Sequence, residues 1–253
     1  MRLMASLVIA FATYSRIPTP RVDWSEENRR HSLCFFPMIG AVIGLILAAW
    51  LRLCDALEMG PVLRGTFGAV IPLLITGGIH MDGFMDVSDA LASWQTKERR
   101  LEILKDSHVG AFAVLHSVMY LLVMAGLLSE AAVEEAWVLG ACFVCSRAMS
   151  AWTSVCFKSA RQEGMLRSFT KTAGRRAVTV CAAGYMLLCL AVWIIEGGLL
   201  ALLPAGAAAL CMLYYRRMAY RQFGGVTGDL AGWLLQVTEL MLIAVIVIGG
   251  KAV

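Results

Sequence analysis

The chain has 253 residues, 59% of them hydrophobic and 16% charged, with a formal net charge of +4 and a mean hydropathy of +0.72. A soluble domain carries about 45–50% apolar and about 25% charged residues, and a disordered chain needs still more polarity, so both classes are excluded. Neither the 23 Gly nor the 8 Cys follow a period, which excludes a collagen-like repeat and a disulfide scaffold; the small, dispersed charge gives no basis for nucleic-acid binding.

In chain order, residues 1–14 form a short apolar stretch that carries Arg2 and has no A-x-A-type cleavage site. It reads as an interfacial or re-entrant helix, with a true span as the alternative. Residues 33–51 follow as a run free of charge, covering about 28 Å and thus the hydrocarbon core. Comparable runs are 65–79 (beginning near Pro61), 109–128, 136–157, 177–195, 197–215 and 230–250. None alternates as a strand does, and backbone in lipid must pair internally, so these are helices. The expected fold is all-α: a single integral-membrane unit over 1–253, with about seven spans and the N-terminal hydrophobic helix. Segments 16–32, 80–108, 158–176 and 216–229 hold most of the 22 Lys and Arg, whereas 129–135 reads SEAAVEE. That asymmetry places the four basic loops in the cytoplasm. Cys142 and Cys145 have C-x-x-C spacing inside a span without a second pair, which reads as packing and not zinc or redox chemistry.

The polar information concentrates in 77–110. Asp82, Asp86 and Asp89 stand at i, i+4 and i+7, within an arc of about 60° on a helix. Like charges so spaced repel, and no basic residue follows until Lys97, so the cluster calls for a cation. Hard oxygen donors without cysteine suit Mg²⁺ or Mn²⁺, and Mg²⁺ leaves room in its shell for substrate phosphates. His80 is a candidate ligand or base, against simple local hydrogen bonding. Arg99, Arg100, Lys105, Asp106, Ser107 and His108 precede the next span and form a candidate phosphate cradle. Arg161 and Glu163 in ARQEGMLRSF, and Thr227 and Asp229 in FGGVTGDLAG, add substrate-binding candidates in the other basic loops. Arg147 and Glu239, charged within spans, should face the bundle interior. Carboxylates for a divalent cation beside cations for phosphate point to phosphoryl or nucleotidyl transfer at the membrane surface.

The stretches FFPMIGAVIG, TGGIHMDGFMDVSDALAS, KDSHVGAF and GGVTGD, in this order, closely resemble the cobalamin synthase (adenosylcobinamide-GDP ribazoletransferase) family, from RIPTP to Glu239. The resemblance implies a multi-pass enzyme of the prokaryotic inner membrane with its active site facing the cytoplasm. The implied reaction joins adenosylcobinamide-GDP to α-ribazole (or its 5′-phosphate), giving adenosylcobalamin (or its 5′-phosphate) and GMP, with Mg²⁺ as cofactor. The family's aspartate motif falls on Asp82, Asp86 and Asp89 as metal ligands, and its K-D-S-R-type motif on Lys105, Asp106 and Ser107. Asp89 or Asp106 is the expected proton acceptor. Ala90, His108 and Leu230 depart from the family's usual Gly, Arg and Thr. The oligomeric state is open. The competing readings are a CDP-alcohol phosphotransferase, whose D-G-x-x-A-R pattern is absent, and a cation-coupled transporter, which requires carboxylates near the bilayer midplane.

Overall fold

The computed structural model describes residues 2–251, which form helices and no strand. In chain order these are α1 (Arg2–Tyr14), α2 (Glu26–Arg29), α3 (Ser32–Ala56), α4 (Pro61–Thr76), α5 (Ile79–Ala92) and α6 (Lys97–Ile103). There follow α7 (Ala111–Glu130), α8 (Ala136–Cys156), α9 (Met165–Thr172), α10 (Arg175–Gly197), α11 (Leu202–Met218) and α12 (Gly228–Gly250).

Among the described residues, five segments are long and apolar enough to cross a bilayer, and six if α4 and α5 count as one broken span. Two of the places expected to hold separate spans depart from straight helices. The runs 177–195 and 197–215 belong to one continuous helical segment, 175–223. A 3-10 turn with Gly198 at φ 54° and ψ −125° interrupts it, a conformation open to glycine. Its two legs run antiparallel: Arg175 and Arg216 line one cavity, Trp193 and Leu203 another. The run 65–79 is half of a bent pair. Pro61 starts α4 with a φ already set for a helix, and Gly77 and Gly78, at φ 66° and 79°, end it in the left-handed region. From there α5 departs at 100°; we read α4 as the crossing segment and α5 as lying along the rim. At 13 residues, α1 falls short of a span and packs against α3.

The core is built around α8, which packs against α3, α10 and α12. Small residues set the approach of α3: a Cβ on Gly44 would sit 2.8 Å from the Cα of Gly140, and one on Gly40 would collide with the Phe143 carbonyl. Close backbone approach of this kind is how helices associate where lipid removes the hydrophobic drive. At the α8–α12 contact, Arg147 Nη1 donates to Glu239 Oε1 at 2.6 Å, with the side chains 1% and 0% exposed. Ser146 Oγ donates to the same oxygen at 3.0 Å, and Arg147 also donates to the Phe143 carbonyl. The two charges thus face inward, as a buried charge in lipid requires. Outer helices α7 and α10 carry exposed leucines such as Leu122 and Leu187.

Removing one member of a buried ion pair strands the other charge, at a cost of about 3–5 kcal/mol. Arg147→Met or Glu239→Leu alone should lower unfolding stability in mixed micelles by about that amount. The double variant should recover most of it.

Candidate active site

Two glycines decide how α5 meets α12. A Cβ on Gly83 would lie 2.8 Å from the Asp229 carbonyl oxygen, and one on Gly232 would lie 3.0 Å from that of His80. The helices therefore touch backbone to backbone, and the first turn of α12 brings Asp229 beside α5. Asp86 is pushed up to about 7, first by burial and then by the charges of Asp82, Asp229 and Asp89; four carboxylates thus share one region of the rim. Asp82 is exposed, while Asp86 and Asp229 are half-buried. Arg161 opposes them, its Nη1 standing 3.5 Å from Asp229 Oδ2.

Loop 158–161 is fixed where Arg161 can do this. A lone bridge joins Ser159 to Val226: Val226 N–H donates to the Lys158 carbonyl at 2.8 Å and Ala160 N–H to the Val226 carbonyl at 2.9 Å. Arg161 Nη2 also donates to the Leu101 carbonyl at 2.8 Å, tying the loop to α6. Thr227 Oγ1 accepts from Leu230 N–H at 3.2 Å, capping α12, and lies 3.3 Å from Asp229 Oδ2. So Arg161, Thr227 and Asp229, expected as separate substrate-binding groups, stand together with Asp82 and Asp86. Sequence spacing did not place Asp229 among the carboxylates, because more than a hundred residues separate the two segments; its one local signal is an acidic residue opening a span after GGVTG.

Asp89 has a different position from that expected. Its Oδ2 accepts from Gly110 N–H at 2.7 Å and its Oδ1 from Ala113 N–H at 2.8 Å. Both oxygens thus cap the N-terminus of α7, where unpaired N–H groups and the helix dipole favour a carboxylate. A Cβ on Gly110 would be 2.5 Å from that carboxylate, so the glycine belongs to the same device. Asp106, the other expected proton acceptor, is exposed and takes part in a local turn. Its Oδ1 accepts from His108 N–H at 3.0 Å and meets His108 Nδ1 at 2.6 Å. The backbone N–H and then the imidazole hold its carboxyl below the usual range, opposite to what a base at neutral pH needs.

The expected cradle is divided. Arg99 pairs with Glu102 at 2.7 Å on the exposed face of α6. Arg100 is buried and donates to the Ala90 carbonyl and to Gln222, joining α6 to α5 and to the π-turn after α11. Lys105 and Ser107 are exposed in the loop that leads to α7, and Glu163 is exposed in its own loop. His80 is 5% exposed and set between Tyr14 and Phe36, with ring centroids at 6.1 and 5.4 Å. It walls a cavity of about 220 Å³ shared by Tyr14, Phe36, Asp82, Ser150 and Asp229. Among the described residues no three His, Cys, Asp or Glu side chains converge into a ready-made metal cage. The donor chemistry still fits Mg²⁺, which takes one or two carboxylates and completes its shell with water and phosphate. Glu239, the midplane carboxylate a transporter would need, is consumed by Arg147.

The model of the Cobalamin-5-phosphate synthase family matches residues 6–247. The chain belongs to that family. Among curated proteins it is 41% identical over 251 residues to the adenosylcobinamide-GDP ribazoletransferase of Lachnoclostridium phytofermentans, covering 99% of this chain and 96% of that one. The proteins of the same name from Desulfitobacterium hafniense and Brevibacillus brevis are 32% and 30% identical, each over 96% of this chain and over 96% and 98% of their own. No solved structure matches.

The two kinds of aspartate separate by stability without any cation. Asp89→Asn loses an ionic cap and should cost about 1–2 kcal/mol. Asp82→Asn relieves repulsion, so its melting temperature in chelator should equal or exceed that of the parent. Thermal unfolding of both variants in chelator checks the assignment.

Proposed function

We propose that this chain is an adenosylcobinamide-GDP ribazoletransferase, acting in the last step of cobalamin biosynthesis. The observation that carries the reading is the meeting of Asp82, Asp86, Asp229 and Arg161 at one rim in a chain matched end to end by enzymes of that name. A ribose hydroxyl of α-ribazole, one that is free in its 5′-phosphate form as well and so is not the 5′ oxygen, attacks the phosphorus bonded to cobinamide. A new P–O bond forms, the bond to GMP breaks, and the hydroxyl proton passes to the acidic cluster.

Each side chain has a part in that exchange. Asp82, Asp86 and Asp229 would hold Mg²⁺, which when bound neutralises diphosphate charge. Arg161 faces the same space, and its Nη1, 3.5 Å from Asp229 Oδ2, is the donor it would offer to a phosphate oxygen. Lys105 and Ser107, exposed on their loop, would serve the distal part of a large substrate. Asp89 acts by holding α7, and Asp106 by shaping the loop that carries Lys105 and Ser107. The rim that bears the carboxylates is also the rim with the Lys- and Arg-rich loops, which supports a cytoplasm-facing site in a prokaryotic inner membrane.

Purified protein given both substrates should release GMP only with Mg²⁺ present. Asp86→Asn and Asp229→Asn should each lower kcat/KM by at least about a hundredfold, the scale of removing a group that stabilises developing charge. Wild-type turnover by either variant at limiting Mg²⁺ would sink the metal assignment.

The raised carboxyl of Asp86 sets a pH dependence. Between the ordinary value of 3.8 and about 7, the folded chain keeps a proton that the unfolded chain has released. Stability of the cation-free protein therefore falls as pH rises through that window and levels off above it. Mg²⁺ must displace the same proton, so its apparent affinity should rise with pH, by up to about tenfold per unit, and flatten above about pH 7. Calorimetric titration at several pH values measures the slope, and Asp86→Asn should lose it.

A further inference from the structure

On the same rim, a second basic feature stands apart from the carboxylates. A groove of about 760 Å³ opens between the ends of α8, α10 and α11. Arg175, Arg176 and Arg216 line it, with Thr179 and Tyr220 between them and Trp152, Phe157 and Val180 as apolar wall. Among the described residues none of the three guanidinium groups forms an ion pair, whereas Arg161 is the cation that faces the carboxylates. Arg216 lies over the Phe157 ring, 5.9 Å from its centroid. Tyr220 Oη accepts from Lys158 N–H at 2.9 Å, which orients the hydroxyl and leaves its own proton to donate. Three cations and a hydroxyl donor therefore converge on one space with no protein anion in it.

The walls of the groove continue as lipid-facing surface. Only 17% of the most apolar stretch of the α10–α11 segment is buried, and Val180, Leu187 and Leu213 stand at least 65% exposed. A ligand that fits both halves has an anionic phosphate head and long apolar chains. We propose that this groove is a headgroup site for an anionic phospholipid of the phosphatidylglycerol type, separate from the acidic rim. Arginines that merely flank a span meet the headgroup layer at large; here they share a concave pocket with an oriented hydroxyl, the form that basic headgroup pockets between spans take.

Protein purified in neutral detergent is titrated with phosphatidylglycerol, phosphatidylcholine, glycerol phosphate and inorganic phosphate, following lipid retention by native mass spectrometry and thermal stability. Phosphatidylglycerol should be retained and raise the melting temperature, while phosphatidylcholine and the two soluble phosphates should do neither. Arg216→Gln should weaken retention about fivefold, and the triple variant Arg175→Gln, Arg176→Gln, Arg216→Gln about a hundredfold. Arg221→Gln, exposed on the same rim outside the groove, should leave retention unchanged. Equal retention of phosphatidylcholine, stabilisation by the soluble phosphates to the same degree, or undiminished phosphatidylglycerol binding by the triple variant would each overturn the assignment. None of these readouts depends on catalysis, so they stand or fall apart from the transferase reading.

Discussion

The close contact between α5 and α12 is the constraint on which the rim depends. Gly83 and Gly232 let two helices meet where any Cβ would press on backbone, and that approach carries Asp82 and Asp86 up to Asp229. Gathering carboxylates in a partly desolvated place opposes folding, because burial and mutual repulsion both disfavour the ionised forms. The raised proton affinity of Asp86 is the visible trace of that opposition. Under the proposed function, such a site would exchange protons for a divalent cation, since the cation removes both penalties together. An apolar core of the usual kind would be more stable at this contact and could not do so.

The other rim elements brace this contact from outside. The Ser159–Val226 bridge and the bond from Arg161 to the Leu101 carbonyl hold three loops in one arrangement. Asp89 fastens the far end of α5 to α7 through two backbone N–H groups, and Arg100 fastens α6 to the end of α5. Of the groups expected to bind substrate, Arg161 and Thr227 stand with the carboxylates, while Lys105 and Ser107 stay exposed on their own loop. Away from the rim, the Arg147–Glu239 pair joins α8 to α12. It sets the lateral position of the helix whose first turn carries Asp229. A buried ion pair adds little net stability but penalises misaligned packing heavily, which suits a bundle whose helices otherwise meet through small residues.

Much of this could be read along the chain because the relevant physics is local. Apolar runs, the basic bias of alternate loops and the i, i+4, i+7 aspartates all depend on neighbours within a turn or two. The bent pair could not be read that way. Gly77–Gly78 is visible in the sequence, but whether such a pair ends a helix or is absorbed into one depends on what α5 packs against. The turn between 177–195 and 197–215 has the same character: they are separate as apolar runs, and a 3-10 turn beginning at Gly198 joins them as two antiparallel legs.

Residue roles divide along the same line. Composition and periodicity alone established a helical membrane protein with acidic residues clustered at its basic rim, since burial in lipid dictates both the length of the runs and the rarity of charge within them. Only the tertiary structure decided which carboxylates stand together there. Asp89 and Asp86 are equivalent on a helical wheel, but one meets the unpaired N–H groups of α7 and the other meets Asp229. A carboxylate's role follows from the donors and charges brought to it by chain segments remote in sequence, and no local pattern encodes those.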